Sequence, residues 1–180
     1  MQIFISGGCK NGKSTLAQDL AVGQPGKLYY IATMNPADDE DAQRIVRHRK
    51  ERAGMNFITI EQPVNIEEIL EKCHIDGSFL LDSLTALLAN EMFSPSGDFD
   101  ENACERVGAG LEKVLDQIPN IVIVSDYIYS DAIQYDPLTE TYRKSLAALD
   151  ALTAARCDVV LEASYTQITA HKGSVSHEIY

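Results

Sequence analysis

Apolar residues along this chain gather into short runs bounded by turn-forming residues, and between the runs they thin out to helical spacing. The runs are Gln2 to Ser6, Leu28 to Thr33, Phe57 to Ile60, Ser78 to Asp82, Ile121 to Ser125 and Asp158 to Ala163. Several are continuous rather than alternating, the pattern of strands covered on both faces. The intervening stretches predict helices over Lys13 to Val22, Ala37 to Ala53, Ile66 to Cys73, Leu84 to Met92, Glu101 to Gln117 and Leu138 to Arg156. In the last of these, Leu138, Tyr142, Leu146, Leu149 and Leu152 form a stripe suited to a core. Strands and helices in alternation predict a doubly wound α/β fold: a mostly parallel sheet, helices on both faces, and ligands at the carboxyl ends of the strands.

Composition narrows the picture. A chain of 180 residues with 45% hydrophobic content can bury one substantial core, and no repeat, linker or low-complexity tract divides it, so a single domain over 1–180 is expected. The apolar runs fall far short of the ~20 residues of a membrane span, and the first strand takes the place of a leader, which predicts a cytoplasmic protein without membrane insertion. Cys9, Cys73, Cys104 and Cys157 show no metal-binding spacing and read as free thiols. A net charge of −12 disfavours nucleic acid and anionic membrane as partners, so phosphate must be met by a local concentration of cations. Arg44, Arg47, Arg49, Lys50 and Arg52 supply one, with five of the 15 basic residues in nine positions.

The chemistry is most explicit after the first strand. Gly7-Gly8-Cys9-Lys10-Asn11-Gly12-Lys13-Ser14 fits the phosphate-binding pattern GxxxxGK[ST]. Glycines at its first and sixth positions let the backbone turn its N–H groups inward onto an anion. Lys13 can reach β and γ oxygens, Ser14 can ligate Mg²⁺, and the helix that follows points its positive end at the same place. Asp82 and Asp126 each end a strand, and either can be the carboxylate that holds Mg²⁺ or its water. Each can equally cap the next helix.

A second constellation lies in the basic segment. Glu40, Arg44, His48 and Arg52 recur at four-residue spacing as one polar row, while Ala42, Ile45 and Val46 offer an apolar side to the sheet. Neutral imidazole attacks phosphorus well, and Arg47 and Arg49 favour the neutral form of His48 while gathering phosphate oxygens. A surface histidine on a charged helix is the plain alternative.

Together with the phosphate loop, Tyr30-Ile31-Ala32-Thr33, Asp39-Glu40, Arg44-Ile45, His48-Arg49, Arg52, Thr59, Glu61, Pro63 and Leu80-Leu81-Asp82-Ser83-Leu84-Thr85 with Asn90 resemble the bifunctional adenosylcobinamide kinase and adenosylcobinamide-phosphate guanylyltransferase family of cobalamin biosynthesis. The resemblance implies a P-loop NTPase-like fold, usually trimeric. It implies phosphorylation of a corrinoid alcohol with ATP or GTP and Mg²⁺, then GMP transfer from GTP through a guanylylated histidine, His48 by position. Nucleotide contacts are implied at Gly7 to Ser14, at Ala32, Thr33 and Met34, at Arg49, Lys50, Glu51 and Arg52, and at Glu61 and Asp82, with Ser14 and Asp82 on the metal.

The second half departs from the family pattern. Ser125-Asp126-Tyr127-Ile128 stands where Asn-Glu-Val-Gly is usual, and Tyr142-Arg143-Lys144 with Asp150-Ala151 replaces a Phe-Arg-Asp stretch ending in Asn-Gln, so that Arg143 alone keeps its place. Tyr127, Tyr129 and Tyr135 lie in the loop between, where they can pack on a flat ring system or simply on the protein. A kinase acting without the guanylyl step, or a catalytically quiet nucleotide-binding regulator, stays open on these residues.

Overall fold

A computed structural model describes residues 1–36, 43, 46, 49, 50, 52–93, 97–165 and 167–175. Seven strands form one sheet: β1 Gln2–Gly7, β2 Leu28–Ala32, β3 Ile58–Glu61, β4 Ser78–Asp82, β5 Ile121–Asp126, β6 Val159–Ser164 and β7 Gln167–Lys172. Their order is β3-β2-β4-β5-β1-β6-β7. All neighbours are parallel except β6 and β7. The helices are α1 Lys13–Val22, α2 Ile69–Lys72, α3 Leu84–Met92, α4 Ala103–Gln117 and α5 Pro137–Arg156.

The central strands are apolar throughout because both faces are covered. One core layer sets Ile3, Ile5, Val122 and Leu161 against Ala17, Leu20 and Ala21 of α1. The other sets Phe79, Leu81 and Ile123 against α3, α4 and α5. In α4 the buried positions Val107, Leu111, Val114 and Leu115 follow helical spacing. Chain entry into the helices is fixed locally: the Ser83 hydroxyl accepts the Ala86 N–H at the start of α3, and Asp136 accepts Leu138 and Thr139 N–H ahead of Pro137 in α5.

The expected strands and helices are present with ends displaced by a residue or two, and two elements differ further. Ile66 to Cys73 begins as a 3-10 turn, Ile66–Glu68, before the single turn α2. The antiparallel edge strand β7 was not expected, because Gln167, Thr169, Ala170, His171 and Lys172 are exposed and leave no apolar run. Of the helix expected over Ala37 to Ala53, Gln43, Val46, Arg49 and Lys50 are helical and Arg52 to Gly54 form a turn, Gly54 at φ 95°.

Register brings the chemistry to one edge. Ala32 lies beside Glu61 on β3 and Asp82 on β4, and Gly7 lies beside Asp126 on β5 and Ala163 on β6. Two groups of functional candidates therefore sit side by side at the carboxyl ends of the strands.

Candidate functional site

The phosphate loop leaves β1 at Gly7, which is buried so tightly that a Cβ there would stand 2.3 Å from the Ala163 carbonyl oxygen. Gly12 precedes α1 with φ 83°, a conformation that favours glycine. Among the described residues no side chain caps the first turn of α1, and no acid lies in it, which leaves its N–H groups and dipole to an anion. Lys13 is buried, and its ammonium donates to the Gly8 carbonyl and pairs with Asp126 Oδ1 at 2.7 Å. Ser14 is half-buried in the same turn, Cys9 and Lys10 are exposed, and the Asn11 amide donates to Ala163 O at 3.3 Å.

Beginning two strands from β1, a cavity of about 590 Å³ opens over the ends of β4, β2 and β3. Ala32, Met34, Arg49, Arg52, Glu61 and Asp82 line it. Its size is that of a nucleotide site rather than a water pocket. Arg49 donates to the Glu61 carboxylate at 2.9 Å. Arg52 is 8% exposed, with its guanidinium carbon 3.4 Å from the centre of the Tyr30 ring and its Nη1 buried without a hydrogen-bond partner among the described residues. Tyr30 donates to Asp82 Oδ2 at 2.7 Å. A buried cation with an unused donor, resting on an aromatic face, is suited to a phosphate oxygen.

Thr33 turns away from this cavity. Its hydroxyl donates to Ser83 O and accepts the Ser83 N–H, both at 2.7 Å, and its own carbonyl accepts the Asn90 amide. Thr33 thus joins the ends of β2 and β4 and leaves the lining to Ala32 and Met34. Val46, expected to lie on the sheet, is 51% exposed and lines the cavity, and Arg52 of the polar row lines it too, folded in by the turn at residues 52–54. Lys50 is helical and exposed, whereas His48 and Glu51 lie outside the described residues.

Two features escaped the sequence. Tyr30 enters there only within the family-like run Tyr30-Ile31-Ala32-Thr33, and its role as a platform depends on the turn that brings Arg52 over it. Asp150 is the other: the Tyr129 hydroxyl donates to its Oδ2 at 2.8 Å, and it is 4% exposed. Burial pushes its carboxyl up to about 6, aided by the like charge of Asp126 and opposed by Ser125 and Tyr129. Its place four residues after Leu146, on the buried face of α5, was the available signal.

Comparison with known proteins follows the same lines. The family described as cobinamide kinase / cobinamide phosphate guanyltransferase matches residues 3–165. The chain belongs to that family. The bifunctional adenosylcobalamin biosynthesis protein CobU of Escherichia coli (strain K12) is 35% identical over 104 residues, which are 56% of this chain and 55% of that protein. CobP of Pseudomonas aeruginosa, described in the same terms, is 28% identical over 162 residues, 89% of this chain and 91% of its own length. In fold alone, a solved structure of a Pyrococcus horikoshii OT3 protein superposes with a TM-score of 0.51 at 9% identity, covering 97% of this chain and 87% of that one.

Membership in this transferase family fits the divided site. Both the loop of Gly7 to Ser14 and the cavity of Arg49, Arg52, Glu61 and Asp82 fall inside the matched span. Among the described residues no helix is long and apolar enough to cross a membrane.

Proposed function

We propose that this protein phosphorylates the hydroxyl of adenosylcobinamide with ATP or GTP and then transfers GMP from GTP to the new phosphate, giving adenosylcobinamide-GDP. The observation that carries the reading is the division of the site: one sheet edge bears a phosphate loop and, apart from it, an arginine-lined cavity of nucleotide size. A kinase alone has use for the first only.

At the loop, the Gly8 to Gly12 amides and the α1 N-terminus would cradle the phosphate chain while Lys13 exchanges Asp126 for β and γ oxygens. Among the described residues no cluster of three or more His, Cys, Asp or Glu suits a metal ion, so a cation would arrive with the nucleotide. The Ser14 hydroxyl and the Asp82 carboxylate are hard oxygen donors that fit Mg²⁺, and would hold it. When bound, the ion neutralises phosphate charge.

In the cavity, the Glu61 carboxylate can accept both the N1–H and the amino group of guanine, which adenine cannot match. Arg49 and Arg52 would gather the phosphates. His48 would attack the α-phosphorus of GTP through a neutral ring nitrogen, so that a P–N bond forms as pyrophosphate leaves. The corrinoid phosphate then displaces His48 and the P–N bond breaks. This role for His48 is supported by its place in the family pattern. A homotrimer belongs to the same proposal.

GTP labelled at the α-phosphate tests it. Acid-labile, alkali-stable label should remain on the denatured protein and be missing from His48→Ala, which should still phosphorylate adenosylcobinamide. Phosphorylation without label in the wild type would leave a kinase only, and saturable binding without turnover would leave a nucleotide-binding regulator.

A further inference from the structure

An acid stands in the buried stripe of α5 where an apolar residue would be more stable. Asp150 lies between Leu146 and Thr153, both fully buried, and is itself 4% exposed. Tyr129 donates to its Oδ2, while Oδ1 is buried without a hydrogen-bond partner among the described residues. The groups around it come from several elements. From β5 it meets Ser125 and the charge of Asp126, from the following loop Tyr129, and from its own helix Tyr142. Ser6 of β1 lies near Tyr129, its own hydroxyl buried without a hydrogen-bond partner among the described residues, and Thr85 of α3 stands behind Ser125 at 3.4 Å. The charge facing Asp150 from β5 is thus of its own sign, and burial adds to the cost of ionising it.

A costly buried group is expected where function needs it, and the contacts of Asp150 lead straight to the phosphate loop. Tyr129 belongs to the segment that leaves β5 at the site. The same segment is tied down at Ile128, whose carbonyl accepts Arg143 Nε at 3.0 Å. Ser125 and Thr85 continue the path, since Thr85 Oγ1 accepts the Asp126 N–H at 2.8 Å and Asp126 holds Lys13.

We propose that Asp150 is a positioning residue for phosphoryl transfer: by accepting the Tyr129 hydroxyl it fixes the segment after β5, and with it the place of Asp126 at the mouth of the phosphate loop, also once Lys13 has exchanged that carboxylate for phosphate. The inference rests on the phosphate loop being the kinase site. No bond to phosphorus is made by Asp150, and its effect belongs in kcat rather than in the KM for nucleotide.

The ionised carboxylate is the better acceptor for Tyr129, and protonation weakens that bond. Phosphorylation of adenosylcobinamide by ATP should therefore lose kcat as pH falls through about 6, the range in which Asp150 titrates. The test measures kcat and KM from pH 5 to 8 for wild type, Asp150→Asn, Asp150→Leu and Tyr129→Phe, with thermal melting of each. Asp150→Asn keeps an acceptor that cannot titrate, so it should lose the acidic limb while keeping most of its activity at pH 7.5. Asp150→Leu and Tyr129→Phe should each lower kcat about tenfold with little change in nucleotide KM, and together no more than either alone. Should Asp150→Leu fail to fold, the limb in the isosteric Asn variant still decides. An acidic limb unchanged in Asp150→Asn, or wild-type kcat in Asp150→Leu, would overturn this inference alone. No phosphorylation by the wild type would overturn the kinase reading as well.

Discussion

Arg52 lays its guanidinium 3.4 Å from the centre of the Tyr30 ring, below a cavity it helps to line. The ring holds the cation in place, and among the described residues its buried Nη1 has no hydrogen-bond partner, which keeps that donor for an incoming anion. Arg52→Ala should weaken GTP binding by about tenfold, and Tyr30→Leu, which removes only the platform, by about threefold to tenfold. Tyr30→Phe keeps the ring and loses the bond to Asp82, and should stay within about threefold. Titration calorimetry with GTP distinguishes them; equal affinities throughout would mean that Arg52 does not meet the nucleotide.

Gly7 and Gly12 are needed for different reasons, and the same substitution separates them. At Gly7 an added methyl meets a backbone oxygen at 2.3 Å, so β1 and β6 must part, whereas at Gly12 nothing lies within 4 Å and the strain comes from φ 83°. Gly7→Ala should cost about 3 kcal/mol or more, and Gly12→Ala about 1 kcal/mol. Melting temperatures with and without ATP check this, and the stabilisation by ATP should vanish in Gly7→Ala. A milder loss at Gly7 than at Gly12 would contradict the packing argument.

Stability should depend on pH through Asp150. Its carboxyl titrates at about 6 in the folded chain against an ordinary 3.8, so the folded state keeps a proton that the unfolded state gives up between those values. This contribution is complete below about 3.8, declines as pH rises through about 6 and is then lost, a difference of about 3 kcal/mol. Asp150→Asn lacks it. The stability of the variant relative to wild type should therefore rise between pH 4 and pH 7 in urea denaturation, and a constant difference would show that the carboxylate is ionised there at no cost.

Lys172, on the strand missing from the expected pattern, closes the C-terminus of α5. Its ammonium donates to Ala154 O at 3.3 Å, Ala155 O at 2.9 Å and Cys157 O, carbonyls near the end of the helix. Lys172→Met should cost about 1 kcal/mol, or roughly 2–4 °C in Tm for a domain of this size. An unchanged Tm would mean that water serves those carbonyls as well.

What the sequence disclosed and what it withheld have physical reasons. Continuous apolar runs marked β1, β2, β4 and β5 because both faces of those strands are buried, and β7 went unseen because its face is wet. The phosphate loop was legible because its backbone geometry needs glycine at fixed places. Spacing could group Arg49 with Arg52 but could not say that one pairs with Glu61 while the other folds inward onto Tyr30, since that is decided by a turn and by the neighbouring strand. Asp126 was visible as a strand-ending acid, yet only the β1–β5 register puts it beside Gly7 and Lys13.

The pairing of Lys13 with Asp126 makes nucleotide binding at the loop a substitution rather than an addition. A small monovalent anion offers the ammonium no more than the carboxylate already supplies at 2.7 Å. A triphosphate offers several oxygens at once, together with the loop amides and the helix end. On the proposed function the loop would thus act as an ion exchanger with a threshold, indifferent to chloride and open to polyphosphate.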